Sequence, residues 1–136
     1  MNTGYKAAII DQDSGGLYEF RRVSSGDEAT SLGFLQGVVG GYIELVRVTD
    51  ELDMWCNEEG KLQGLPVNEP ATALWWGLCP EMRNQDVICG PVALTSHDDQ
   101  GETTSLPDRI WVFLRDQLAP KYPASTVTDE VAANAL

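Results

Sequence analysis

The chain contains a single histidine, His97, so the H-E-x-x-H metal motif cannot be written, and neither G-x-S-x-G nor a phosphate-binding P-loop is present. Cysteine is scarce and odd in number: Cys56, Cys79 and Cys89. No two of them form a C-x-x-C pair, the spacing that zinc and redox dithiols use. Three separated thiols, each in or beside an apolar run, read as free, mostly buried cysteines in a reducing compartment. Long hydrophobic runs are missing too, and nothing approaches the roughly 18 apolar residues of a membrane span. The opening MNTGYKAAIIDQD has one lysine and a brief apolar run ended by Asp11, which is not the form of a signal peptide. A cytoplasmic location is the expectation.

Basic residues are also few. Nine Lys and Arg stand against 21 Asp and Glu, a formal net charge of -12. A field of that sign repels nucleic acid and anionic membrane and favours basic partners. Neither direct nucleic-acid binding nor membrane binding is expected. The simplest reading is a solvated acidic surface. A sharper one is a surface that imitates the phosphate array of DNA and engages a DNA-handling protein, with Asp50-Glu51-Asp53, Glu58-Glu59 and Asp98-Asp99-Glu102 as its rows.

What is present is enough to build a core. The hydrophobic fraction is 43%, with four Trp, four Tyr and three Phe. Residues 1–119 read as one domain, and residues 120–136, rich in Ala, Pro, Thr, Ser and acid, as a disordered tail. Tyr5–Asp11 and Leu17–Val23, joined by QDSGG, predict a β-hairpin. A helix is expected to begin near Ser25, Thr30 or Ser31 and to end at Gly40-Gly41. Gly37, Gly40 and Gly41 thus precede a strand, the reverse of a dinucleotide fingerprint, and serve capping and packing. Tyr42–Val48 is the strongest strand; with apolar groups on both faces it is expected at the centre of the sheet. A second strand starts at Asp53. Asn57-Glu58-Glu59-Gly60 predicts a tight turn with Gly60 at positive φ, and Lys61-Leu62 the return strand of a second hairpin.

Asn68 is the expected N-cap of a helix with Glu69-Pro70 in its first turn and Ala71, Leu74, Trp75 and Leu78 on its apolar stripe. Val87–Leu94 reads as a strand broken by Gly90-Pro91, hence an edge, a bulge or a strand end. Thr95–Thr104 reads as a polar loop, and Ser105 with Asp108 as the cap of a last helix bearing Ile110, Trp111, Leu114 and Leu118. The sum is an α+β domain, a mostly antiparallel sheet of about five strands with three short helices against it.

No catalytic or metal-binding constellation emerges, and no cofactor is expected. His97 beside Asp98 and Asp99 could form a general-base dyad, but adjacent loop positions rarely hold that geometry. The acids Asp98, Asp99 and Glu102 lack the calcium-loop order. The binding candidates cluster around the Asn57–Asn68 element: Tyr42, Asn57, Glu58, Lys61, Gln63 and Asn68, with Trp75 and Trp76 as an adjacent aromatic patch. Leu65-Pro66 is expected to hold backbone extended and unpaired beside them.

VGGYIELV (Val39 to Val46), NEEGKLQGLPVN (Asn57 to Asn68) and the later Gly90-Pro91-Val92 give the chain its one family likeness. Over roughly residues 29–94 it resembles a small domain of unknown function carried by bacteriophages and mobile elements of actinobacteria and other Gram-positive bacteria. The resemblance implies such an origin and carries no catalytic residues. The expected function is a non-enzymatic accessory protein that binds a host protein, in the manner of a defence-system inhibitor or acidic DNA mimic. The alternatives are a small-ligand or nucleotide-binding module and, more remotely, an enzyme using His97 and nearby acids.

Overall fold

A computed structural model describes residues 5–11, 17–23, 28–118 and 124–127. In chain order these form β1 (Tyr5–Asp11), β2 (Leu17–Val23), α1 (Glu28–Val39), β3 (Ile43–Arg47), β4 (Asp53–Asn57), α2 (Glu69–Leu78), a 3-10 turn at Pro80–Met82, β5 (Val92–His97), β6 (Thr103–Thr104), α3 (Asp108–Leu118) and β7 (Ala124–Val127). The strands make one sheet in the order β3-β4-β5-β1-β2-β7, and β6 pairs with the end of β5. Every pairing is antiparallel except β2 with β7. The fold is α+β, with a mostly antiparallel sheet and three helices. The sheet is larger than the expected five strands because Thr103–Thr104 and Ala124–Val127 also pair.

Side chains alternate across a strand, so the register assigns the faces. Ala8 and Ile10 of β1, Val92 and Leu94 of β5, and Met54 and Cys56 of β4 share one face. They pack with Leu74 and Trp75 of α2 and Trp111, Leu114 and Leu118 of α3 in the main core. The opposite face carries Ala7, against which Phe34 of α1 packs. On that face Asn57 Nδ2 also donates to the Val39 carbonyl at the end of α1, at 3.1 Å. The sheet thus lies between α1 and the α2–α3 pair, and both faces of its middle strands are apolar or closely packed.

Several sequence expectations are corrected. β3 is an edge strand, not a central one, and Glu44, Leu45 and Arg47 are exposed. The central place goes to β5, which starts just after Gly90-Pro91, so that dipeptide marks a strand end. Thr95, Ser96 and His97 belong to β5 rather than to a loop. The second hairpin is β3–β4, closed at the Val48–Leu52 turn by the Val48 N–H on the Leu52 carbonyl at 2.9 Å. No return strand starts at Lys61; residues 58–64 are successive turns. Ser105 does not cap α3. Its hydroxyl accepts the Lys6 N–H at 2.9 Å and ties the approach to α3 onto β1. Within the tail expected to be disordered, Ala124–Val127 forms β7 along β2. The QDSGG turn and the Ser25 cap lie outside the described residues.

Candidate functional site

The Asn57–Asn68 element is built from β4 outward. Asn57 closes the strand and turns the chain: its Oδ1 accepts the Glu59 N–H at 2.7 Å, while Nδ2 holds Val39 and contacts Gln63 Oε1 at 3.4 Å. Positive φ falls at Gly64 (72°) and not at Gly60. Gly60 is required for a different reason: a Cβ there would sit 2.8 Å from the Cys89 carbonyl oxygen. That neighbour is backbone and cannot swing away. Gly60→Ala is therefore expected to cost about 1–3 kcal/mol through forced displacement of residues 88–90, read by chemical denaturation. A cost below about 0.5 kcal/mol would show that the loop moves freely.

Much of the Leu65–Asn68 backbone is paired, contrary to the expectation of open backbone. The Leu65 N–H donates to Gly60, the Gly90 N–H to Pro66, and the Asn68 N–H to Ile88, at 2.9, 2.8 and 2.7 Å. Val67 bridges Cys89. Asn68 has no exposed surface. Its Oδ1 accepts the Ala71 N–H at 3.1 Å as the N-cap of α2, and its Nδ2 donates to the carbonyls of Ile10 and Gly90 at 3.1 and 2.9 Å. The cap is as expected; the clamp between β1 and the start of β5 has no signal in the sequence.

Of the other candidates, Trp75 is buried in the main core. Trp76 is half-buried, and its Nε1 donates to the Asp86 carbonyl at 2.8 Å. Tyr42 is 69% exposed at the head of β3. Glu58, Lys61 and Gln63 are exposed. Lys61 forms an ion pair with Asp86. That bond raises the lysine pKa and lowers the carboxylate's, each above all through the hydrogen bond they share. Asn57, Glu58, Lys61 and Trp75 line one cavity of about 100 Å³ together with Cys56, Asp86 and Cys89. Ligand pockets run to roughly 300–1,000 Å³, and this space is smaller than that range. Cys56 is a poor nucleophile there, since burial, with some help from Glu44, pushes its thiol up to about 12.

His97 does have an acidic partner, but not the neighbouring Asp98 or Asp99. Its Nδ1 lies 3.0 Å from Oδ2 of Asp53, across the β4–β5 pairing. Asp53 is 1% exposed, and its Oδ1 faces Arg47 Nε at 3.1 Å. Arg47 Nη1 also approaches His97 Nε2 at 3.4 Å. These contacts hold the ring between the Asp53 carboxylate at Nδ1 and the Arg47 guanidinium at Nε2. They use both ring nitrogens structurally, and the Arg47 guanidinium stands where a general base would need its substrate's proton. Among the described residues no group of three or more His, Cys, Asp or Glu side chains gathers to hold a metal ion.

The acidic residues divide. Antiparallel pairing of Asp53 with Thr95 sets the start of β4 beside the end of β5. The turns Val48–Leu52 and Asp98–Glu102 therefore meet at one end of the sheet, stitched by the Ser96 hydroxyl donating to the Glu51 carbonyl. Glu51 is held by Arg109, whose Nη1 donates to Oε1 at 2.7 Å. Asp50, Asp98, Asp99 and Glu102 are exposed there. Asp53 is buried and leaves this row, and Glu58-Glu59 lie at the other end of β4.

Among the described residues no helix is long and apolar enough to cross a membrane. No curated protein and no solved structure matches the chain. A family model does match, across residues 6–119, and the chain belongs to that family, the Domain of unknown function (DUF3846).

Proposed function

We propose that the chain is a non-enzymatic accessory protein, of phage or mobile-element origin, that acts by binding a basic surface of a host protein. The observation that supports this is the meeting of the two acidic turns. Asp50, Asp98, Asp99 and Glu102 come together on one end of the sheet with no ion-pair partner among the described residues. Like charges held together by the backbone cost stability, and a basic partner relieves that cost. Imitation of a DNA phosphate row would need Asp53 and Glu58-Glu59 on the same face, so the partner is described by its basic surface alone. Cytoplasmic action is part of the same proposal.

The test is capture of proteins from a bacterial host lysate on the immobilised chain, with bound proteins identified by mass spectrometry. The comparison is a variant carrying Asp50→Asn, Asp98→Asn, Asp99→Asn and Glu102→Gln. Asparagine at 98 can still accept the Gln100 and Glu102 N–H groups that Asp98 holds at 2.9 Å. A specific partner should be lost in the variant and weakened as salt shortens the screening length to about 8 Å at physiological ionic strength. Equal capture by both proteins would show that the acidic end is only a solvated surface.

A further inference from the structure

Among the described residues the sheet has an uncovered edge at β3, and its hydrogen-bond pattern can be derived. The Glu58 N–H donates to Tyr42, and the Val48 N–H to Leu52, both at 2.9 Å. Ladder bonds alternate along an antiparallel pair, so Glu44 and Val46 also bond inward to Cys56 and Met54. Ile43, Leu45 and Arg47 therefore point their N–H and C=O groups away from the sheet. No described residue pairs with these six groups. β3 is short and carries Glu44 and Arg47, which deter chance pairing, but a proline, a bulge or a covering segment would be needed to block its outward groups. β3 has no proline, and its register with β4 runs unbroken from Ile43↔Asn57 to Arg47↔Asp53. Leu45 is 38% exposed on it.

We infer that this edge docks an extended, basic segment of a partner protein as an added strand. Backbone pairing supplies the recognition of any strand; charge chooses which one. Glu44 on the strand, Asp50 in the turn after it, and Glu58 and Glu59 at its other end are exposed and have no ion-pair partner among the described residues. The one cation of β3, Arg47, is committed to Asp53. A second copy of this chain would bring the same four acids against their equals, at a net charge of -12 on each molecule. A lysine- or arginine-bearing strand meets them with opposite charge. The inference deepens the basic-partner reading above by naming how the partner is held.

The test uses an eight-residue peptide of alternating lysine and valine, with an alternating glutamate–valine peptide as control. Amide hydrogen exchange is followed at Ile43, Leu45 and Arg47. The basic peptide should slow exchange at these three amides by about tenfold or more, and the acidic one should not. Leu45→Pro removes an outward N–H only, so the β3–β4 ladder and the fold should survive. This variant should bind the lysine–valine peptide at least about tenfold more weakly. Leu45→Lys, which keeps the backbone and adds a like charge against the peptide, serves if the proline variant melts early; it too should weaken binding. Binding without protection of the three amides, or equal binding by the two peptides, overturns the inference. So does self-association through the edge in sedimentation. Should the acidic-turn variant lose its host partner while Leu45→Pro keeps it, the edge inference falls and the basic-surface reading stands.

Discussion

Asn68→Ala should lower the unfolding free energy by about 3–5 kcal/mol, well beyond the 0.5–2 kcal/mol of a lost helix cap alone. The side chain holds three backbone groups from three segments: the Ala71 N–H and the carbonyls of Ile10 and Gly90. Alanine leaves all three without that partner in a site closed to solvent, and each orphaned buried group costs on the order of 1–3 kcal/mol. Urea denaturation of the variant measures the sum. Asn68→Asp separates the roles. Aspartate keeps the cap acceptor but loses both donors and sets a carboxylate against two carbonyl oxygens. If capping were the whole role, that variant would be near neutral; the clamp requires it to be about as damaging as alanine.

The second large effect distinguishes two neighbouring tryptophans. Trp75→Ala should cost about 3–5 kcal/mol, the range for removing a buried aromatic side chain. The ring lies in the main core between the α2 helix and the sheet. Trp76→Ala removes a half-buried ring and one hydrogen bond to Asp86, and about 1–2 kcal/mol is expected. Paired thermal melts test the order. A larger loss at Trp76 would mean that the ring bonded to Asp86 is the true core member.

Elements governed by local chemistry are legible in the sequence. Tyr5–Asp11 and Leu17–Val23 form the predicted strands with the predicted bounds. Asn68-Glu69-Pro70 starts α2, because a side-chain acceptor, an early acid and a first-turn proline all favour the same end of a helix. What the sequence leaves illegible depends on partners far along the chain. β3 is apolar enough to suit a central strand, yet strand order is decided by long-range pairing, and β5 rather than β3 fills the middle. Gly60 has the setting of a turn glycine; its constraint comes from Cys89, which no turn rule contains. For His97 the nearest acids along the chain are Asp98 and Asp99. The sheet pairs it instead with Asp53, since successive side chains on a strand point to opposite faces. Of the binding candidates, Asn57, Glu58, Lys61 and Trp75 do share a cavity, whereas Asn68 lies buried beneath the element and Tyr42 stands outside it.

The place of β5 also bears on how the chain is made. Its two flanking strands, β1 and β4, belong to hairpins completed by residues 23 and 57, but β5 itself spans Val92–His97. During synthesis the ribosome therefore releases two separate hairpins, each with an open inner edge, well before the strand that joins them exists. Isolated hairpins are marginal in water, and pairings between distant segments form slowly. A nascent chain stopped before Val92 has no way to close the sheet and should be a substrate for chaperones or proteases rather than a smaller folded unit. The sheet of this protein thus cannot close until β5 has cleared the exit tunnel.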